Sequence, residues 1–266
     1  MARTSVAAAH FAEGDFRLGS VIRRSASTLS GHFLTFFIVS VVTHSPIILL
    51  ARTLSTQPTV RLTTTLGVLG LLQVIVLGTL GEAVIAHAAF QDMQRRPVRL
   101  AESLNVALRR FLPIVGLAFV VVLLLELVVG LAFVVVFSIQ HEYLENVGLV
   151  LLIIPGLILY AMWFVAVPAC VVERLGPWSS LRRSRELTKG HRWKVFGLAL
   201  LLIIPSLLDI TFGLAAAAGP IVGPIINWFC RGIWFAFAAV VAAVTYHDRR
   251  VVKEGIDIEQ ITDVFD

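Results

Sequence analysis

Charge is what this chain has least of. Only 15% of its 266 residues are charged while 58% are hydrophobic, and its mean hydropathy is +0.88; soluble domains run at about 25% and 45–50%. A water-exposed surface cannot be built from so few charges, so a soluble one- or two-domain protein is excluded. Cysteine is nearly absent too. Cys170 and Cys230 both fall in apolar segments, one near a membrane face and one mid-span, so neither a disulfide nor a cysteine-based metal site is expected. The first 15 residues lack the apolar stretch of a secretory leader, and the first apolar run begins only at Phe33. Phosphate-binding glycine loops, the nucleophile elbow and the dinucleotide fingerprint are missing as well. No nucleophile–base pair or ligand cluster shares a depth. The chain is therefore expected not to be an enzyme, with no catalytic residues and no cofactor.

What is present is a series of apolar stretches, each long enough for about 30 Å of hydrocarbon at about 1.5 Å per residue. They cover approximately 33–50, 63–90, 111–138, 147–172, 195–212 and 220–246. The expectation is an all-α polytopic membrane protein with six transmembrane helices. Of the 22 basic residues, all but Arg52, Arg61 and Arg231 lie in residues 1–32, 91–110, 173–194 or the tail after 246. Basic connections stay on the cytoplasmic side, which places both termini there.

The chain also repeats itself. Ser20, Arg23, Arg24, Ser25, Gly31, His32, Phe37, Pro46 and Leu49 recur without a gap as Ser179, Arg182, Arg183, Ser184, Gly190, His191, Phe196, Pro205 and Leu208. Each copy is a basic amphipathic stretch running into an apolar one, the pattern of a helix that lies on the membrane face and then dives. In Phe16–Gly31, Leu18, Ile22, Ser25/Ala26, Leu29 and Phe33 form a stripe at helical spacing, with Arg17, Arg23 and Arg24 off it. Pro97–Arg110 places Ala101, Leu104, Leu108 and Phe111 on a stripe, and Pro177–His191 has Trp178 and Trp193 near its ends. Pro97 and Pro177 suit a first helical turn. Three repeats follow, each an interfacial elbow helix plus a transmembrane hairpin, at about 16–96, 97–176 and 177–246. A flexible N-terminus (1–15) and an acidic cytoplasmic tail (247–266) flank this membrane domain (16–246). The hairpins end alike, in Asp92-x-x-Arg95-Arg96, Glu173-Arg174 and Asp248-Arg249-Arg250. These are interfacial anchors or, in a sharper reading, a threefold ring of acid–Arg pairs that holds the elbows.

Ser184-x-Glu186-Leu187-Thr188-Lys189-Gly190-x-x-Trp193, preceded by Ile154-Pro155-Gly156 and Glu173, resembles the signature of a bacterial family. This family comprises the membrane domain of glycerophosphoryl diester phosphodiesterases and the YciC-like proteins. Tyr246-x-Asp248-x-Arg250-x-x-Lys253-Glu254-Gly255-x-Asp257 is similar to its cytoplasmic ending. The resemblance runs from Phe16 to Asp257 and implies a six-span inner-membrane protein. In phosphodiesterase members the chemistry belongs to a separate soluble barrel opening on His-Arg-Gly. Here His191-Arg192 is followed by Trp193, so nothing catalytic carries over.

Ionisable groups within spans are costly, so Glu82, Glu126, Asp209 and Arg231 are the candidate site residues. Arg231, about 24 Å into the sixth span by helical rise, is expected to pair with Glu126 or Asp209, which reach a similar depth. That pair would either fix helix register or wall a polar cavity that admits a headgroup. Glu82, about 15 Å in, has no obvious basic partner at its depth and is expected as a protonated carboxyl facing the bundle interior. His44 and His87 read as hydrogen-bonded structural residues before proton relays. His141-Glu142-Tyr143-x-Glu145 lacks the second histidine of a metal helix, so no metal is expected. Pro46, Pro155, Pro168 and Pro205 should kink their helices.

Arg23, Arg24, Arg109, Arg110, Arg182, Arg183 and Lys189 of the elbows are the candidate headgroup ligands. The net charge of +5 gathers on one membrane face and favours anionic lipid as the partner. Nucleic acid is not needed to explain it. Two functions remain in view. One is the handling of a lipid or lipid-like amphiphile, serving membrane homeostasis or transport. The other is a scaffold subunit that docks a protein partner or a second copy.

Overall fold

The computed structural model describes residues 18–54, 60–138, 155–207 and 219–254, and among them every regular element is helical. In chain order these are α1 (Leu18–Gly31), α2 (Phe33–Leu54), α3 (Val60–Gln73), a π-helical turn (Val74–Gly78) and α4 (Thr79–Met93). Next come α5 (Leu100–Arg109), α6 (Phe111–Ser138) and α7 (Pro155–Val172). The last three are α8 (Pro177–Thr188), α9 (Arg192–Leu207) and α10 (Gly219–Glu254). Four segments are long and apolar enough to cross a membrane: Gly67–Met93, Phe111–Val128, Pro155–Val172 and Ile225–Glu254. A fifth joins them if α1 and the first part of α2, bent by 90° at His32, are counted as one. The expected elbow is therefore present where Gly31-His32 interrupts the helix. The described part of α9 is 16 residues long, and the rest of its stretch, including Asp209, lies outside the described residues. So do residues 139–154 and the chain ends, 1–17 and 255–266.

Several boundaries move for identifiable reasons. α7 breaks at residues 164–165 because Pro168 has no N–H to give the carbonyl of Phe164. At Pro46 and Pro205, by contrast, the helices run on. Pro97 is not in the first turn of its helix: residues 97–99 are extended, and α5 starts at Leu100 with Arg99 as N-cap. The N–H of Arg99 is taken by Gln91 Oε1 at 3.1 Å, which fixes the entry to α5. The tail does not begin at 247, since α10 continues to Glu254. The π-helical turn was not foreseen. There the Thr79 hydroxyl donates to the carbonyls of Ile75 (2.6 Å) and Val74 (3.1 Å), which compensates the widened backbone.

Three helices that descend to the basic face, α4, α7 and α10, pack on one another at the centre. Each elbow lies against one of them: α5 on α4, α8 on α7 and α1 on α10. The first two elbows follow their partners directly in sequence. α1 packs on the last helix, which closes the arrangement into a ring. Close approach is built from small residues. The hydroxyl of Ser40 donates to Gly232 O at 2.7 Å, and a Cβ at Gly81 would stand 2.8 Å from Thr43.

Burial repeats with the sequence. Val21, Ser25, Leu29, Phe36 and Ser40 are buried, and so are their counterparts Ser180, Ser184, Thr188, Val195 and Ala199. The middle elbow obeys the same spacing, with Ser103, Ala107, Ile114 and Ala118 buried, although it shares few identities with the other two. Two descending helices also end alike, turning on Arg95 and Arg174, each at φ 56°.

The stripe expected on α5 faces the wrong way for a soluble protein. Ser103 and Ala107 point inward, while Leu104 and Leu108 are about half exposed and Leu112 is 79% exposed. A helix whose small residues pack on its own protein and whose leucines point away needs an apolar surrounding. Trp178 and Trp193 are likewise exposed beside the arginines of α8, as interfacial indoles are.

A central cavity above an ion-paired floor

Between the central helices lies a cavity of about 500 Å³, within the roughly 300–1,000 Å³ typical of small-molecule sites. Its wall is mostly apolar, drawn from α4, α6, α7 and α10 with contributions from α2 and α9. The π-helical turn supplies Val74, Ile75 and Gly78. The polar groups facing it are few: His44, Thr79, Glu82, Tyr160 and Arg231, with the indoles of Trp163 and Trp234.

Each of these is placed by a local device. The His44 ring stacks on Phe235 at 4.0 Å between centroids, and its Nδ1 faces Ser40 O at 2.9 Å and Thr43 Oγ1 at 3.2 Å. Trp234 Nε1 donates to Leu202 O at 3.1 Å, fastening α9 to α10. Arg231 Nε donates to Asn227 Oδ1, one turn back on α10, at 2.8 Å. Glu82 stands on α4 next to fully buried Ala83 and shares the cavity wall with Tyr160.

Toward the basic face the bundle is closed by small buried side chains, among them Ala86, Ala89, Ala169, Val240 and Ala243. Beneath them lies a network of ion pairs. Glu173 accepts from Arg183 Nε and from the Tyr246 hydroxyl, both at 2.8 Å. Arg183 also pairs with Glu254, whose other oxygen takes Arg250 Nε at 2.9 Å. Lys253 donates to Glu186 O. Arg249, 1% exposed, donates to Leu187 O at 3.2 Å and meets His191 Nδ1 at 3.0 Å. Arg24 pairs with Asp248 at 2.5 Å, and Asp92 meets His32 at 3.7 Å.

The ring of acid–Arg pairs is thus formed at two of three sites. Arg24 and Arg183 are matched in the repeat, and each binds the acid at the end of a descending helix. In the burial register that aligns Ser25, Ser103 and Ser184, the middle elbow carries Glu102 where the others carry arginine. Beside an acid, Glu102 offers no pair, and Asp92 turns to a histidine instead.

The expected site residues therefore divide. Glu82 and Arg231 both line the cavity. Glu126 is exposed on α6 and does not line it, so the expected Arg231–Glu126 wall is not what the cavity shows. Of the elbow residues, Arg23, Arg109, Arg182 and Lys189 are exposed. Arg109 bonds Asn105 at 3.2 Å, and Arg182 pairs with Glu186 at 3.1 Å. Arg24, Arg183 and Arg110 are spent within the protein, Arg110 on Leu175 O at 3.4 Å. Tyr160, Trp163 and Trp234 are not singled out as site residues in the sequence, and Arg249, read there as an interfacial anchor, is buried. The one available hint was three polar-edged aromatics inside otherwise aliphatic stretches.

Apolar helices long enough to cross a membrane, an exposed leucine stripe and a cavity between the helices define the class: a helical membrane protein with an internal cavity. Compared with known proteins, the chain matches no family profile, no curated protein and no solved structure.

Proposed function

We propose that this chain is a non-enzymatic, six-span protein of a bacterial inner membrane, with both termini cytoplasmic, that handles a lipid or lipid-like amphiphile in its central cavity. Three elbow-plus-hairpin repeats build it, closed in a ring by α1. The shared burial spacing around Ser25, Ser103 and Ser184 supports that reading. So does the resemblance of residues 184–193 and 246–257 to the membrane domain of glycerophosphoryl diester phosphodiesterases and the YciC-like proteins. Exposed Arg23, Arg109, Arg182 and Lys189 hold anionic headgroups at the cytoplasmic face, with Trp178 and Trp193 at headgroup depth.

The observation that carries the proposal is the cavity. A scaffold whose work is docking has no use for about 500 Å³ of apolar space furnished with a carboxyl, a guanidinium and a π-helical turn. Native mass spectrometry of the full chain released from mild detergent tests it. A retained amphiphile is expected, and it should be lost when Ala238→Trp fills the cavity. A clean protein mass, or a second polypeptide at fixed stoichiometry with no small ligand, would favour the scaffold instead.

A further inference from the structure

Glu82 sets the sign of what the cavity binds. Among the described residues it makes no hydrogen bond and no ion pair. A carboxyl held in an apolar cavity without a partner is costly, and its charge is offset by a cation brought to it or quenched by a proton. The side chains sharing the cavity with it favour the cation. Tyr160, Trp163, Trp234 and Phe235 present aromatic rings in the cavity, and aromatic faces attract positive charge most strongly where water is excluded.

The positive groups of the cavity stand apart from this end. Counted from Asp92, Glu82 is about 15 Å from the basic face, whereas Arg231, counted from Asp248, is about 26 Å from it. Arg231 is also drawn toward Asn227. His44 turns its Nδ1 to Ser40 and Thr43 while its ring covers Phe235. The cavity is thus polarised along its length, with Glu82 deepest, Arg231 farthest out and the aromatic rings between them.

Resting on the reading that the cavity holds an amphiphile, we infer that its ligands are lipophilic cations, amines or onium groups whose positive charge sits at Glu82 among the aromatic rings. The class is recognised mainly by charge and girth, because beside the Glu82 carboxyl the lining offers only the Thr79 and Tyr160 hydroxyls, the first already spent on Ile75 O and Val74 O.

Two ions of nearly the same shape and opposite charge separate the alternatives. The full chain in uncharged detergent is titrated calorimetrically with tetraphenylphosphonium and with tetraphenylborate, as wild type, Glu82→Gln, Glu82→Asp and Arg231→Gln. Expected are binding of the phosphonium in preference to the borate, loss of about tenfold or more in affinity in Glu82→Gln, and partial retention in Glu82→Asp. Displacement of the retained amphiphile by the phosphonium in native mass spectra should accompany it. Unchanged phosphonium affinity in Glu82→Gln would overturn the inference. So would preference for the borate that disappears in Arg231→Gln, or binding of neither ion. If the retained amphiphile persists in any of those three cases, the cation assignment fails alone. If it is missing as well, the cavity reading fails with it.

Discussion

Placing a methyl group at Gly81 probes the tightest helix contact in the bundle. Its Cβ would stand 2.8 Å from both Cγ2 and Oγ1 of Thr43 and 3.2 Å from Thr43 Cβ. Thr43 cannot swing away freely, because its hydroxyl is engaged with the carbonyls of Val39 and Ser40 at 3.0 Å. Two effects therefore oppose each other in Gly81→Ala. Helix propensity favours alanine by about 0.5–1 kcal/mol, while overpacking of a close contact costs about 1–3 kcal/mol. The contact wins, for a net destabilisation of about 1–2 kcal/mol, or a few degrees at about 2–4 °C per kcal/mol for chains of this order. Thr43→Ala removes the two atoms at 2.8 Å and should restore the double variant to the stability of Thr43→Ala alone or better. The assay can use the protein's own thiol: Cys170 is fully buried, so a thiol-reactive dye reports its exposure on heating in a Cys230→Ser background. A Gly81→Ala protein that melts above wild type would refute the close approach of α2 and α4.

The remaining predictions follow from the floor and the elbows. Glu173→Gln should cost more than Asp248→Asn, about 2–3 kcal/mol against less than about 1, because Glu173 holds both Arg183 and Tyr246 whereas Asp248 meets a half-exposed Arg24; the same melting assay ranks them. Introducing an arginine at the middle elbow, Glu102→Arg, should supply the missing third pair with Asp92 and raise the melting midpoint, and a fall instead would mean the three elbows are not equivalent. In reconstituted vesicles a cysteine at Leu104 should react with a membrane-soluble maleimide and resist a charged one; equal reaction with both would place α5 in water. A reporter fused after Asp266 should be active only in the cytoplasm, and periplasmic activity would reverse the orientation.

Much of this was written in the sequence because it depends only on composition and period. Apolar runs too long for a soluble core announce helices able to cross a membrane. The step from a basic amphipathic stretch to an apolar one at Gly31-His32 announces the right-angled elbow, and burial at Ser25 and Ser184 follows the repeated letters. Glu82 was legible as an inward-facing group because no basic residue shares its depth. Other features depend on neighbours that lie far away along the chain. The middle elbow keeps the burial spacing without the letters, since packing asks only for a small residue at Ser103 and Ala107. Glu126 and Arg231 share a depth, yet one points out and the other into the cavity, because depth is set by counting residues and azimuth by which helices pack. The closure of α1 onto α10, and with it the cavity at the centre, was decided only in three dimensions. The first elbow covers the end of the last helix, a contact such as Arg24–Asp248 joining residues 224 positions apart, which no local pattern announces.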